Sequence, residues 1–198
     1  MFCEDEGHEA VVGGIVARLA SASEVTVEIH AASVRGGHGK ALAELAQFVG
    51  EMRRGRRGQP DLLVVAIDAN CFGHVGKKAE VARILGEYGE IAVCAIPDPH
   101  VERWLLVDSH AFKNAVGRGC KAPDAKCEKD RYKALLAAAV RDADLQPLIR
   151  GLEHAEAIIG FMNLDAAQYA DPSLGAFITD VRAVLTRWAR EEQALNEA

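Results

Sequence analysis

Acidic residues follow three apolar, strand-like runs of this chain. Glu4 comes after MFC, Asp68 after DLLVVAI, and Glu102 shortly after EIAVCAI. In an alternating α/β chain such strand ends converge on one edge of a parallel sheet, where ligands are held. A carboxylate there is unfavourable to desolvate without a compensating cation, and hard oxygen ligands suit Mg²⁺ or Mn²⁺. The three residues therefore predict a divalent-metal site.

The first acidic cluster has two explanations. Glu4, Asp5 and Glu6 are consecutive, and Glu9 stands one helical turn further on. Their carboxylates are candidate metal ligands at the end of a strand. Acidic residues in a first helical turn also complement the helix dipole, and the apolar residues of 11–19 have helical spacing. Metal binding and helix capping both remain open here.

The second cluster is Asp68 with Asn70, directly after a run typical of a strand buried on both faces. In an extended segment, residues two apart point the same way, so these side chains can present two oxygen ligands to one cation. Asx residues also form turns, which explains the same pair.

Glu102 belongs to the stretch PDPHVERWLLVD. Asp98 and Pro99 suit the N-cap and first position of a helix, so a short helix should begin there and carry Glu102. A structural ion pair with Arg103 or Lys113 is one explanation for Glu102. Its nearness to the other acidic strand ends favours a metal ligand or a group that supports one.

Taken together, these motifs resemble the Toprim (topoisomerase-primase) domain. An acidic residue ends the first strand, D-x-N ends the third, and Glu-x-Trp-Leu-Leu lies on a later helix. The set is most similar to the small Toprim-like proteins of bacterial defence loci, which are related to OLD-family nucleases. The resemblance covers roughly residues 1–135 and implies divalent-metal nuclease chemistry.

The resemblance assigns roles to five positions. Glu4 would be a metal ligand or the general base for an attacking water, and Asp68 and Asn70 fall on the D-x-D motif. Glu9 matches an acidic residue on the first helix, and Glu102 matches the Glu-x-Trp motif. All five are predicted to ligate the metal, with Glu4, Asp68 and Glu102 also catalytic.

Two positions depart from the family pattern. The usual glycine after the first glutamate is Asp5, and the second aspartate of D-x-D is Asn70. The loss of one negative charge should weaken a second metal, which puts two-metal catalysis in doubt.

Histidines and basic residues supply further candidates. His74, shortly after Asp68, is the first choice for a general acid or phosphate contact, and His8 is the second. Backbone amides and side chains of the glycine-rich loop from Arg35 to Lys40 suit a phosphate, although an ordinary solvated loop explains it as well.

Later basic residues have similar alternatives. Lys77 and Lys78 are candidates to stabilise a phosphoryl-transfer transition state. Basic residues after the Glu102 helix either guide a phosphodiester to the acidic site or are merely solvated. They are Arg118, Lys121, Lys126, Lys129, Arg131 and Lys133.

Composition limits the class of protein. The chain has 198 residues and a formal net charge of −6, which argues against coating nucleic acid by charge alone. No apolar stretch is long and charge-free enough to cross a bilayer, and the acidic start does not resemble a signal peptide. We therefore predict a cytoplasmic protein without membrane contact.

The cysteines predict reduced thiols. They are five in number and lack C-x-x-C spacing. A zinc site formed by Cys120 and Cys127 with His110 or His100 is an alternative, although the spacing matches no standard site.

The periodicity predicts an α/β fold with a Toprim-like (Rossmannoid) parallel sheet flanked by helices. Predicted strands lie at 1–4, 24–30, 61–67 and 91–96, and predicted helices at 8–20, 39–52, 76–88, 131–141, 146–162 and 174–193. We place a Toprim-like catalytic domain at 1–128 and an all-helical C-terminal extension, packed on it, at 129–198.

The leading functional prediction is a Mg²⁺- or Mn²⁺-dependent nuclease acting on DNA rather than RNA. By resemblance, such proteins often act beside an ATPase partner in defence against phage. The alternative is a catalytically degenerate subunit that docks on a partner ATPase or self-associates as a homo-oligomer. A receiver-like or Rossmann-like nucleotide-binding domain is a third option, which the absence of G-x-G-x-x-G after strand one disfavours.

Overall fold

The computed structural model describes residues 1–34, 38–121, 124, 126–128 and 130–196. The strands are β1 (Phe2–Cys3), β2 (Ala32–Ser33), β3 (Leu63–Ala66) and β4 (Ala92–Ala95). The helices are α1 (Glu6–Ala22), α2 (His38–Arg53), α3 (His74–Leu85), α4 (Glu102–Leu105), α5 (Ser109–Val116), α6 (Arg131–Asp142), α7 (Ala155–Phe161), α8 (Leu164–Ala170) and α9 (Pro172–Asn196). Short 3-10 helices lie at Asn70–Phe72, Gly86–Ile91 and Leu152–His154.

The described strands form one parallel sheet in the order β2-β1-β3-β4. Phe2 pairs with Ala32 on one side and with Val65 on the other, and Val65 pairs with Cys94. β1 and β3 are therefore neighbours whose carboxyl ends open at the same edge. The predicted α/β class, with a parallel sheet flanked by helices, is confirmed.

Helices cover both faces of the sheet and form two apolar cores. Ile15 of α1, Val64 of β3 and Phe177 of α9 belong to one core. Leu45 of α2 and Val65 of β3 belong to the other. Successive residues of β3 thus enter opposite cores, as the alternation of a strand requires. Burial on both faces explains why the sequence of β3 is a continuous apolar run.

The C-terminal helices pack directly on the part of the chain that carries the acidic motifs. Trp104 of α4 stacks on Phe177 of α9 with ring centroids 5.8 Å apart, and its Nε1 donates to Ser173 Oγ at 3.0 Å. Lys78 of α3 forms an ion pair with Asp180 of α9 at 2.9 Å. Contacts with α9 therefore reach both α3 and α4.

The helices are amphipathic rather than uniformly apolar. α9 buries Phe177, Val181 and Leu185 and exposes Arg187 and Glu191. Within the described part of the chain, no helix combines the length and apolar character needed to cross a bilayer.

The strand predicted at 24–30 is wrong, because β2 begins at Ala32. Val25 and Val27 are half-buried against the core and alternate with exposed residues, so the period of two is real. The ladder starts only where the amide of Ala32 donates to the carbonyl of Met1 at 2.9 Å. The alternation reflects side-chain burial and covers only 24–28, since residues 28–31 are all exposed. Strand pairing begins at Ala32.

The helix predicted at 146–162 is wrong over its first half. Arg150 and Gly151 have φ angles of +56° and +97°, and left-handed backbone cannot continue a right-handed helix. The carboxylate of Glu153 accepts hydrogen bonds from backbone amides of this turn. Local side-chain hydrogen bonding therefore competes with the helical periodicity.

The short helix predicted to begin at Asp98 begins instead at Glu102. Asp98 Oδ2 accepts a hydrogen bond from the amide of His74 at 2.9 Å. It thereby serves the start of α3, where the N-cap residue Gly73 has no side chain to do so. Asp98 therefore caps a helix, as the sequence predicts, but the helix is α3 instead of α4.

The prediction of reduced thiols is wrong for two cysteines. Cys71 and Cys127 form a disulfide across 56 residues of chain, whereas Cys3, Cys94 and Cys120 are free thiols. Tertiary proximity sets this pairing, and sequence spacing does not reveal it. The disulfide also removes Cys127 from the alternative zinc site.

Candidate metal centre

The candidate site lies at the carboxyl edge of the sheet, where β1 and β3 end side by side. The amide of Glu4 donates to the carbonyl of Ala66 at 2.8 Å, one step beyond the paired strands. The amide of Asp68 donates to Glu4 Oε2 at 3.0 Å. Strand pairing therefore brings these two predicted residues together.

Asp5 and Glu4, neighbours in the first acidic cluster, make different contacts. Asp5 is the N-cap of α1, since its Oδ1 accepts the amide of His8 at 3.0 Å. Glu4 is buried and contacts Asp68 instead. Helix capping thus explains Asp5, whereas Glu4 contacts the backbone of Asp68.

The first turn of α1 places His8 between two carboxylates. Its Nδ1 lies 2.8 Å from Asp5 Oδ1, and its Nε2 lies 2.9 Å from Asp68 Oδ1. Glu4, His8 and Asp68 are all buried, and each offers one ligand atom within 4.8 Å of the other two. We call these three residues the ligand group. Two carboxylates and an imidazole at this spacing are able to hold a divalent cation.

Asp68 is also fixed by the loop after β4. Its Oδ2 lies 3.0 Å from Nδ1 of His100, and its Oδ1 accepts the amide of Val101 at 2.9 Å. The His100 ring contacts that of Tyr132 on α6, with centroids 6.0 Å apart. The Asp68 carboxylate is therefore held by α1 and by the loop that precedes α4.

Glu102 is the first residue of α4, and only 2% of it is exposed. Among the residues that the structure describes, its Oε2 has no hydrogen-bond partner. Its Oε1 lies 3.9 Å from Nζ of Lys133 on α6. A buried carboxylate oxygen without a donor is unfavourable, and a bound cation or a substrate proton would satisfy it.

The charges of the site are coupled. Burial would raise the pKa of Asp68, but His8 and His100 outweigh burial and hold that pKa below its ordinary value. Burial would lower the pKa of His8, but Asp68 and Asp5 raise it well above 6.5. The hydrogen bond with Asp68 raises the pKa of His100. Burial, followed by the charge of Asp68, raises the pKa of Glu102.

A buried ion pair stabilises the position of α4, the helix that carries Glu102. Arg103, the next residue, pairs with buried Asp171. Asp171 Oδ1 also accepts the amides of Ser173 and Leu174 at 2.8 and 3.0 Å at the start of α9. Arg103 therefore fixes α4 to the N-terminus of α9.

Two other predicted metal ligands make different contacts. Glu9 is exposed, and its Oε2 accepts Ser33 Oγ at 2.7 Å. Asn70 has a φ of +50° and starts a 3-10 helix, and its Nδ2 donates to the backbone carbonyl of Asp68 at 3.3 Å. The extended segment that would align residues 68 and 70 is not formed, because the chain turns there. Metal binding by Glu9 and Asn70 stays a prediction.

His74, the first-choice catalytic histidine, joins α3 to the chain after β4. Its Nδ1 lies 3.0 Å from the carbonyl of Ile96, and its amide donates to Asp98. These contacts are structural, and the catalytic role of His74 stays a prediction.

The predicted substrate-binding residues are differently placed. Lys77 is buried and its Nζ donates to Glu80 at 2.8 Å. Lys78 is tied to α9 by its ion pair. Lys40 is exposed on α2, and Arg35 lies outside the described residues. Lys77 and Lys78 would have to exchange these ion pairs for contacts with a phosphate.

The sequence favours His74 over His8, and it does not pair His100 with Asp68 or Lys133 with Glu102. The sequence signal for His8 is its position inside the first acidic cluster, at the start of the helix that follows the first strand. His100 lies two residues before Glu102, and the sequence suggests it only as a zinc ligand. Lys133 comes from a distant helix, so no local pattern pairs it with Glu102.

Comparisons with known proteins give no match: no family model, no curated protein and no solved structure matches this chain. The Toprim resemblance therefore depends on the motif residues alone.

Proposed function

We propose that this protein is a Toprim-like, divalent-metal-dependent nuclease that hydrolyses phosphodiester bonds. The observation that carries the proposal is the ligand group, in which Glu4, His8 and Asp68 bring one ligand atom each within 4.8 Å of the others. The unbonded Oε2 of buried Glu102 supports it.

The charge of the site fits a cation. Glu4, Asp68 and Glu102 are all buried, and neighbouring buried carboxylates are unfavourable unless positive charge compensates them. His8 and His100 supply part of that charge through their raised pKa values. A dication at the ligand group would displace the proton of the His8 nitrogen that binds it.

The composition of the ligand group indicates which metal to expect. Mg²⁺ strongly prefers oxygen ligands, whereas Mn²⁺ also accepts imidazole nitrogen. With His8 beside two carboxylates, we propose Mn²⁺ as the preferred cofactor and Mg²⁺ as the weaker one.

The residues around the ligand group have distinct chemical roles. A bound cation polarises a phosphoryl oxygen and lowers the pKa of a water molecule. Glu102 Oε2 accepts a proton from the attacking water, for which its raised pKa suits it. Lys133 Nζ, 3.9 Å from Glu102 Oε1 and partly exposed, binds a phosphate oxygen. His100 holds Asp68 in the orientation needed for ligation.

The Toprim resemblance extends the proposal to substrate and partner. It favours DNA over RNA and an ATPase partner in defence against phage. Lys133, whose Nζ lies 3.9 Å from Glu102 Oε1, supplies positive charge for a phosphodiester backbone in a chain whose net charge is −6.

The test is cleavage of plasmid, linear duplex and single-stranded DNA and RNA with Mn²⁺ or Mg²⁺. We expect metal-dependent cutting that Glu4→Gln and Asp68→Asn each abolish. Glu6→Gln is the matched control, because Glu6 is an exposed carboxylate two residues from Glu4. Circular dichroism checks that each variant is folded, and cutting by folded Asp68→Asn at the wild-type rate contradicts the proposal.

A second candidate is the degenerate subunit that docks on an ATPase or on itself. It is favoured by the contacts of His8, which balances Asp5 and Asp68 without a cation, and by Asn70 at the second D-x-D position. Absence of both Mn²⁺ binding and cleavage would select this candidate. Mn²⁺ binding by the ligand group with loss of cutting in the variants would exclude it.

A further inference from the structure

We propose that Phe72 is a stacking platform for a nucleobase, and that the substrate strand is therefore single-stranded or locally unpaired at this point. The inference deepens the proposed nuclease function and rests on it. Phe72 is 62% exposed. It lies four residues after Asp68, at the end of the 3-10 helix Asn70–Phe72. Four residues span at most about 14 Å, so the Cα atom of Phe72 lies within that distance of the Cα atom of Asp68.

The Phe72 ring packs against the start of α3 on a cross-linked segment of backbone. It lies so close to Gly76 of α3 that a Cβ there would be 2.8 Å from its Cδ1. Lys77 Nζ, itself buried, lies 5.3 Å from the ring centroid in cation–π geometry. The preceding residue, Cys71, is anchored by its disulfide to Cys127. A ring packed in this way loses little conformational freedom when it binds a ligand.

The surroundings of the ring match a nucleotide rather than a purely apolar ligand. Lys126 is exposed, its Nζ lies 3.9 Å from Asp124 Oδ2, and it directly precedes Cys127, so the disulfide brings this lysine to the Phe72 segment. Exposed Val75, three residues further along the chain, adds apolar surface. Aromatic platforms bordered by positive charge bind single strands, because each base has a π-face and each linkage a phosphate.

The secondary structure of the substrate follows from this geometry. Bases inside a duplex stack on their neighbours and do not present a face to an external ring. A base can cover Phe72 only when its strand is single or locally opened. Placed four residues from Asp68, the platform would position the neighbouring phosphodiester for the ligand group.

Binding without metal isolates the stacking step from hydrolysis. The probes are a fluorescein-labelled oligothymidylate of about 12 nucleotides and an abasic sugar-phosphate strand of the same length. Fluorescence anisotropy gives the affinity of each probe for wild type, Phe72→Ala and Phe72→Trp. Phe161→Ala is the control, because Phe161 is also an exposed aromatic residue (55%) but belongs to a different region of the surface. It ends α7, and the Ile159 carbonyl of that helix accepts a hydrogen bond from Arg18 of α1. Arg18 is a rise of about 15 Å along α1 from His8.

We expect wild type to bind the thymidylate roughly tenfold more tightly than the abasic strand. Phe72→Ala should lose this preference and Phe72→Trp should keep it, while Phe161→Ala matches wild type. A duplex of the same sequence should show no dependence on Phe72. An unchanged preference in folded Phe72→Ala overturns the inference.

The stacking inference and the nuclease proposal fail in distinguishable ways. If metal-dependent cleavage is present but the base preference is absent or independent of Phe72, only the stacking inference fails. If wild type neither binds these probes without metal nor cleaves any nucleic acid with metal, both fail. A preference for the base that depends on Phe72, without cleavage, supports the platform and selects the degenerate binding subunit.

Discussion

The Nε2 of His8 lies 2.9 Å from Oδ1 of Asp68, although 60 residues of chain separate them. The contact joins the start of α1 to the end of β3 and puts an imidazole among carboxylates. A set of acidic strand ends predicts oxygen ligands alone. The histidine shifts the expected metal preference from Mg²⁺ towards Mn²⁺.

The first prediction concerns that preference. His8→Asn removes the nitrogen ligand, so we expect Mn²⁺ affinity to fall roughly tenfold or more and Mg²⁺ affinity to fall less. Isothermal titration calorimetry measures both metals on the folded variant. His110→Asn, a change of an exposed histidine on α5, should leave both affinities unchanged. An equal loss for the two metals would rule out nitrogen ligation by His8.

The second prediction uses the unbonded oxygen of Glu102. Glu102→Gln removes a buried charge, so without metal we expect the free energy of unfolding at neutral pH to rise by about 1 kcal/mol. Mn²⁺ should raise the melting temperature of wild type more than that of the variant, because the variant lacks the negative charge of Glu102 that would attract the cation. Cleavage should fall about a hundredfold or more. Calorimetry and a cleavage assay give these values, and a variant as active as wild type contradicts the role of Glu102.

The third prediction concerns the buried ion pair between Arg103 of α4 and Asp171, which directly precedes α9. Asp171→Ala leaves the buried guanidinium of Arg103 unpaired and removes acceptors at the start of α9. We expect a loss of about 3–5 kcal/mol of unfolding free energy in urea denaturation. Asp165→Ala breaks an exposed ion pair with Arg182 and should change stability by less than about 1 kcal/mol. Similar losses in the two variants would refute the structural importance of the buried pair.

The fourth prediction is a pH dependence at Asp108, which lies outside the ligand group. Its carboxylate accepts the amides of His110 and Ala111 on α5 and of Asn163 before α8. Burial opposes ionisation, but these hydrogen bonds outweigh it and hold the pKa of Asp108 below its ordinary 3.8. Because the folded-state pKa is the lower one, ionised Asp108 stabilises the fold above pH 3.8. That contribution is lost as pH falls through the folded-state pKa.

Asp108→Asn tests the sign of this effect. At about pH 6 the variant should be less stable by about 1 kcal/mol, because the amide nitrogen cannot accept the Asn163 amide. The difference should shrink as pH falls towards about 3, where wild type also loses its charge. Urea denaturation at several pH values measures it. A difference that stays constant or grows in acid would show that the Asp108 charge does not stabilise the fold.

The fifth prediction concerns the Cys71–Cys127 disulfide. Cys71→Ser should lower the free energy of unfolding by about 2–4 kcal/mol and make the chain easier for trypsin to cut after Lys126 and Arg131. Cys120→Ser, which changes a free thiol, is the control for both measurements. Thiol titration of the denatured, unreduced protein should count Cys3, Cys94 and Cys120 alone. A count that includes the other two cysteines would contradict the disulfide.

The sequence predicts the backbone of the site better than its side-chain partners. Glu4 and Asp68 could be paired in advance, because each ends an apolar run and parallel strands end at one edge. Asn70 could not be placed, since asparagine suits both an extended segment and a left-handed turn. Lys133 reaches Glu102 only through packing of α6, which no local pattern encodes.

Residues that serve two purposes explain other errors. Asp98 has the sequence signature of a helix start but caps α3, which begins 24 residues earlier. Glu153 stabilises a turn inside a segment with helical periodicity. In each case a polar side chain finds its hydrogen-bond partner through tertiary structure or a local turn. Hydrophobic spacing alone does not contain that information.

The ion pair between Arg103 and Asp171 limits where the gene for such a protein can recombine with another gene. All three strand-end carboxylates precede residue 128, yet the helix carrying Glu102 is anchored by Asp171 and covered where Trp104 stacks on Phe177. A fragment shuffled between genes without the C-terminal helices would carry the acidic motifs but lose their support. Recombination near residue 128 should therefore yield a folded protein only when the new C-terminal segment carries an acidic residue equivalent to Asp171.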